Sequence, residues 1–252
     1  MAERLTPPPP PREVHPIRFK LAYAALAVVL GAGVGTLIVL VGRGDEHQSS
    51  NWSGWQPDGS DTQKTREIAE HVGRQYRLPS GHQIVAVIPG PPKVGDIPIE
   101  HVAIANSDAP EDITLFGTDN SVVYQMCGLG RNCGIEEGTP SIERGYLLHR
   151  EALELSLYSF KYAGADQVIT LLPGRPEARP TYALFLRKDD FRQALDQPLS
   201  RTLRPARTIE PNGVSPRESG LIRQIDLRHF YRYSFQQAPD GSGVLVLAPT
   251  PA

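Results

Sequence analysis

"PSIERGYLLHREALELSLYSFKY", residues 140–162, carries the strongest helical pattern in the chain and sets its class. Thr139 can cap it, Pro140 suits a first helical turn, and Glu143 complements the positive end of the helix dipole. Leu148, Ala152, Leu155 and Phe160 approximate one apolar stripe, which Leu153 and Leu157 broaden. His149, Arg150 and Glu151, with Glu154 a turn further, are placed for acid–base chemistry, but they read first as a solvated, charged helix face.

On either side lie short apolar runs of strand character. Before the helix come "QIVAVI", "IEHVAIA", "DITLF" and "SVVYQM", the last two separated by the hairpin signal "GTDN". After it come "QVITLL" and "TYALFL", a short helix from Asp189, and a linker rich in proline and arginine. "SPRESGLIRQIDLRHF" opens with Ser215 and Glu218 in capping-box spacing around Pro216. "YRYSFQQ" and "VLVLAP" form a closing hairpin. At the front, "DTQKTREIAEHVGRQYRLP" predicts a helix with Asp61 as N-cap, Pro79 as stop, and Ile68, Val72 and Tyr76 on one stripe. Strands and helices do not alternate regularly. The expected class is α+β with largely antiparallel strands and several helices, in one domain over 61–252.

The run Leu21–Val41 contains no charged residue, and twenty-one helical residues span roughly 30 Å, the hydrocarbon thickness of a bilayer. It is longer than the apolar core of a cleaved signal peptide, so residues 21–41 read as a transmembrane helix and uncleaved signal-anchor. Arg4, Arg12, Arg18 and Lys20 precede it, and Arg43 alone lies close behind. The N-terminus is therefore expected in the cytoplasm and the domain outside it, at the cell membrane. Residues 1–20 are a proline-rich cytoplasmic tail with five consecutive prolines, Pro7 to Pro11, and 42–60 a flexible tether. Trp52 and Trp55 lie in the tether and are expected to pack onto the domain. Ala27, Gly31 and Gly35 recur at every fourth position of the anchor, a smooth face for homodimerisation.

The chain's two cysteines, Cys127 and Cys133, fall in "CGLGRNC". Outside the cytoplasm they are expected to form a disulfide across this glycine-rich loop, in which the ring could also present a binding surface. No further cysteine or nearby histidine pair completes a zinc site, and the spacing is not that of a thioredoxin-like centre. Gly128-Leu129-Gly130-Arg131-Asn132-Cys133 approaches a dinucleotide fingerprint, but Cys133 stands at its third glycine. No catalytic, cofactor-binding or metal-ligating residue is identified.

Net charge is −2, which gives no cationic excess for nucleic acid. Residues 44–144 carry fifteen Asp/Glu against seven Lys/Arg, and residues 145–252 eleven against fourteen. Arg201, Arg204 and Arg207 could form a patch for an anionic ligand such as a lipid headgroup.

The juxtamembrane "WSGWQP", the "CGLGRNC" loop, and "LLHREALELSLYSFKY" followed by "QVITLLP" together resemble an uncharacterised bacterial family of single-pass membrane proteins. The resemblance implies the topology above and assigns no activity. The expected function is accordingly a non-enzymatic binding or assembly module at the cell envelope, with an unidentified envelope protein as partner. An envelope enzyme or a single-pass sensor are the alternatives.

Overall fold

The computed structural model describes residues 52–94, 96–106, 112–173, 182–205 and 208–250. The tail, the 21–41 segment and its Ala27, Gly31 and Gly35 lie outside the described residues. Among the described residues no helix is long and apolar enough to cross a membrane. In chain order the elements are α1 (Asp61–Gly73), β1 (Val85–Gly90), β2 (Lys93–Val94), β3 (Ile97–Ala105), β4 (Ile113–Gly117) and β5 (Ser121–Gly128). Then follow α2 (Ile142–Tyr162), β6 (Gln167–Leu171), β7 (Tyr182–Arg187), the single-turn α3 (Arg192–Leu195), α4 (Pro216–His229), β8 (Phe230–Gln237) and β9 (Gly243–Pro249).

Local chemistry fixes the helix starts. Ser60 caps α1 by accepting from the Gln63 N–H, which makes Asp61 the first helical residue and not the cap. Ser141 caps α2 in the same way, displacing Thr139 from that role. At α4 the Ser215–Glu218 capping box forms with Pro216 in the first turn, as its spacing implies. Helix α1 ends well before Pro79. The Gln83 side chain donates to the Gly73 carbonyl at 2.7 Å, and Tyr76 then runs extended as a bridge to Ile209.

The strands make one nine-stranded sheet in the order β1–β5–β6–β7–β8–β9–β3–β2, with β4 also paired to β3. The class is α+β, and the sheet is mixed: β5/β6 and β3/β9 are parallel, the other pairs antiparallel. Helix α2 supplies the long crossover that the parallel pair β5/β6 requires. The β8–β9 hairpin is present, but "GTDN" does not join a hairpin. There β4 pairs with β3 while β5 inserts between β1 and β6, so the segment turns a corner, with the Thr118 N–H donating to the Glu100 carbonyl. A strand with both faces covered is better placed inside a sheet than in a two-stranded ribbon.

This sheet curls. β4 lies four strands from β7, about 19 Å away if the sheet were flat, yet the Phe116 and Phe185 rings are 5.5 Å apart. Inside the curl, Ile99, Val102, Ile169, Phe185, Tyr231, Leu245 and Leu247 form one core. On the opposite face of β1, β5, β6 and β7, a larger core packs under the helices. Helix α2 sits within that layer with most of its surface enclosed, including positions that read as a solvated face.

Within the described residues the chain already packs on the domain at Trp52, ahead of α1. Trp52 is buried, its indole N–H donates to the Ala194 carbonyl at 3.2 Å, and its own carbonyl accepts from Leu199. Its ring meets Tyr158 and Tyr162 edge-on, while Trp55 stacks on His71 at 3.9 Å. This part of the tether is a clasp on α1 and α2, as expected for two large aromatic side chains.

Candidate functional site

One turn of α2 concentrates buried charge. Arg150 uses every guanidinium nitrogen: Nε donates to Glu218 at 2.9 Å, Nη1 to Glu154 at 3.1 Å and to the Tyr76 hydroxyl, and Nη2 to the Arg204 carbonyl at 2.8 Å. The Tyr76 hydroxyl donates in turn to Glu154 at 2.6 Å. Glu218 also accepts from the Ser215 hydroxyl and from the backbone N–H of Ser215 and Arg204. One cation thus links the extension after α1, α2, the linker and the start of α4.

Two carboxyls share this guanidinium, and a third, Glu151, is buried one residue along without reaching it. Burial works against the Glu218 anion, but the Ser215 hydroxyl, Arg150 and the backbone donors hold its pKa below the usual carboxylate range. Burial raises Glu154 despite its bonds to Arg150 and Tyr76. Glu151 is 0% exposed, and neither of its oxygens has a hydrogen-bond partner. Burial pushes its pKa well up, repulsion from Glu154 adds to this, and Arg77 offsets part of it. Such a setting favours the protonated, neutral form. The sequence reading of Arg150, Glu151 and Glu154 as solvated is therefore corrected: their face lies under α1, α4 and the linker. His149 is turned away, its Nδ1 2.8 Å from Asp226 on α4, so it forms no acid–base pair with Glu154.

The sulfurs of Cys127 and Cys133 lie at bonding distance, 2.00 Å, with Cα atoms 4.4 Å apart. The ring folds back so tightly that a Cβ at Gly128 would lie 2.2 Å from the Gly134 carbonyl oxygen. Asn132 and Cys133 both adopt positive φ, uncommon away from glycine. Leu129 is exposed at the tip. The parallel β5–α2–β6 unit around this loop is the context a dinucleotide site would use, but α2 starts only at Ile142. The glycines therefore do not sit at its N-terminus, where Ser141 and Glu143 take the first-turn positions.

The Arg204 guanidinium donates to the Gly213 carbonyl, Arg201 offers its carbonyl to Arg217, and Arg207 lies outside the described residues. An open groove of about 590 Å³ sets Lys161, Lys188 and Arg192 beside Asp189 and Asp196, with charges of both signs. Among the described residues, no group of three or more His, Cys, Asp or Glu is placed to hold a metal ion.

An exposed apolar surface lies elsewhere, on the outer side of the curled sheet. Residues directly opposite in register share a face. Leu115, Ala103, Val246 and Ser234 form one row across β4, β3, β9 and β8. Gly117, His101, Val244 and Gln236 form the next. Ile113 pairs with Ala105, and Ala248 with Arg232. Over β4, β3 and β9 the face is aliphatic apart from His101, and it turns polar only at β8. Ile113 is 58% and Leu115 62% exposed. The apolar runs "VAIA" and "VLVLA" were legible in the sequence. Their second face was not, because strand periodicity does not say which side the chain covers. No family model, characterised protein or solved structure matches this chain.

Proposed function

We propose that the chain is a membrane-anchored binding or assembly module, displayed outside the cytoplasm, whose partner seats on the outer face of β4, β3 and β9. The supporting observation is the contrast along that face. The outward residues of β8, Arg232, Ser234 and Gln236, are polar and exposed, whereas those of β9, β3 and β4 are aliphatic. On that face Ile113 and Leu115 are exposed, Ala105, Val244 and Val246 half-buried and Ala103 buried, and exposed apolar side chains grouped in this way mark interaction sites. Glu151, Glu154 and Tyr76, all raised by burial, are enclosed in the helical layer. The apolar 21–41 run and its flanking cations support the anchor and its orientation.

Two measurements test this. A reporter active only outside the cytoplasm, fused after Ala252, is expected to be active, and activity of a cytoplasmic reporter there overturns the topology. A photo-crosslinking residue at position 115 in intact membranes is expected to give a discrete adduct that the same residue at position 234 does not. Equal yields at both positions remove the wing as the partner surface.

A further inference from the structure

We infer that the partner of this face is an extended peptide segment, aliphatic at alternate positions and flanked by lysine or arginine, which adds to β4 as a further strand. The inference rests on the reading of this wing as partner-facing and adds the occupant's chemistry. Three independent features converge on it.

First, among the described residues β4 pairs with β3 alone. An edge strand presents a row of backbone donors and acceptors, and an extended chain satisfies them one after another. Second, Ile113 and Leu115 project from the same face of that edge, where they can pack against alternate side chains of an incoming strand. They continue the half-buried aliphatic surface of Ala105, Val244 and Val246, with Ala103 buried among them, so an added strand extends an apolar layer already three strands wide. Third, the charges around the edge are predominantly of one sign. Asp112 and Asp119 flank the two ends of β4, and Glu100 stands exposed at the irregular register of β3. Lys93 on β2 and Arg187, which lies 5.4 Å from the Phe116 ring on the other face of β4 and pairs with Asp190, are the nearby counter-examples. Acids at both ends of the edge complement cations at both ends of a peptide, whichever way it runs. They also weigh against a second copy, because pairing β4 with another β4 brings acidic ends together.

The test uses the full-length protein in detergent micelles and fluorescein-labelled seven-residue peptides. The first probe is Lys-Val-Thr-Val-Thr-Val-Lys, the second replaces both lysines with glutamate, and the third replaces the central valine with proline, which blocks strand addition. Anisotropy is expected to show binding of the first probe at least about tenfold tighter than either of the others, with the preference over the glutamate form shrinking at high salt. Hydrogen exchange is expected to slow over residues 113–117 when the first probe is added. Leu115→Lys is expected to weaken that binding by about tenfold or more. The milder Leu115→Thr serves in its place if the lysine variant does not fold. Equal affinity for all three probes, or unchanged exchange over residues 113–117, overturns the inference. So does a concentration-dependent dimer that Leu115→Lys dissolves, which assigns the edge to a second copy. Adduct formation from position 115 in membranes without peptide binding keeps the surface and rejects the strand. A failed topology reporter leaves the peptide result standing.

Discussion

Two halves of one sheet face are written in the same apolar alphabet and end in different surroundings. Over β6 and β7 the face carries Val168, Leu184 and Leu186, all buried beneath the helices. Continued past β8 onto β9, β3 and β4, the same face carries Val244, Val246, Ala103, Ile113 and Leu115, with the last two open. The difference shows that apolar patterning records the need for cover without recording who supplies it. In the covered half α2 answers that need and in doing so takes charged residues out of water.

The sharpest way to break the covered half is to remove its hub. Arg150→Ala strands Glu154 and Glu218 without their cation and is expected to cost about 3–5 kcal/mol, because deleting one partner leaves a buried charge uncompensated. Urea unfolding measures it, and a loss below about 1 kcal/mol would show that the network is peripheral to stability.

An intermediate effect of opposite sign is expected one residue along the helix. Glu151→Leu removes two unpartnered oxygens and is expected to stabilise the domain at neutral pH by about 1–3 kcal/mol. The pH dependence separates ionisation from packing. The folded pKa of Glu151 is raised, so the folded state keeps a proton that the unfolded state has released. Stability therefore falls as pH climbs above the ordinary carboxylate range toward the folded pKa. Glu218 is lowered and works the other way, its contribution being lost as pH falls through its folded pKa. Glu151→Gln is expected to flatten the decline on the alkaline side while leaving the acid limb. An unchanged alkaline slope in urea titrations between pH 5 and 8 would count against a buried neutral carboxyl.

The smallest effect on folding belongs to the open half. Leu115→Lys, on a side chain already 62% exposed, is expected to shift unfolding by less than about 0.5 kcal/mol. A large loss would mean that the wing is covered from within the chain.

How much was legible follows the same division between local and distant causes. The Ser215–Glu218 box was readable because its partners lie three residues apart. The end of α1 was not, because Gln83 reaches back to Gly73 from beyond the helix. Thr139 and Asp61 lost the capping role to serines one or two residues away, a choice that side-chain chemistry alone leaves nearly even. Arg150 and Glu151 were misread because a charged residue on a helix is ordinarily solvated, and the elements enclosing them come from distant stretches of chain. Separated from α2 in sequence by the whole linker, Glu218 gave no local sign of its partnership. Trp52 and Trp55 were placed correctly for a general reason, since rings of that size seek cover.

The position of β9 bears on the order in which the molecule can be made. It runs parallel to β3 and separates it from β8, although Val102 and its neighbour Leu245 are about 140 residues apart in the chain. A ribosome releases β3 and β4 long before the keystone that joins them to the rest. Until it arrives, the early strands wait as an unanchored pair with aliphatic flanks on both sides, the stage at which a holding chaperone would matter most.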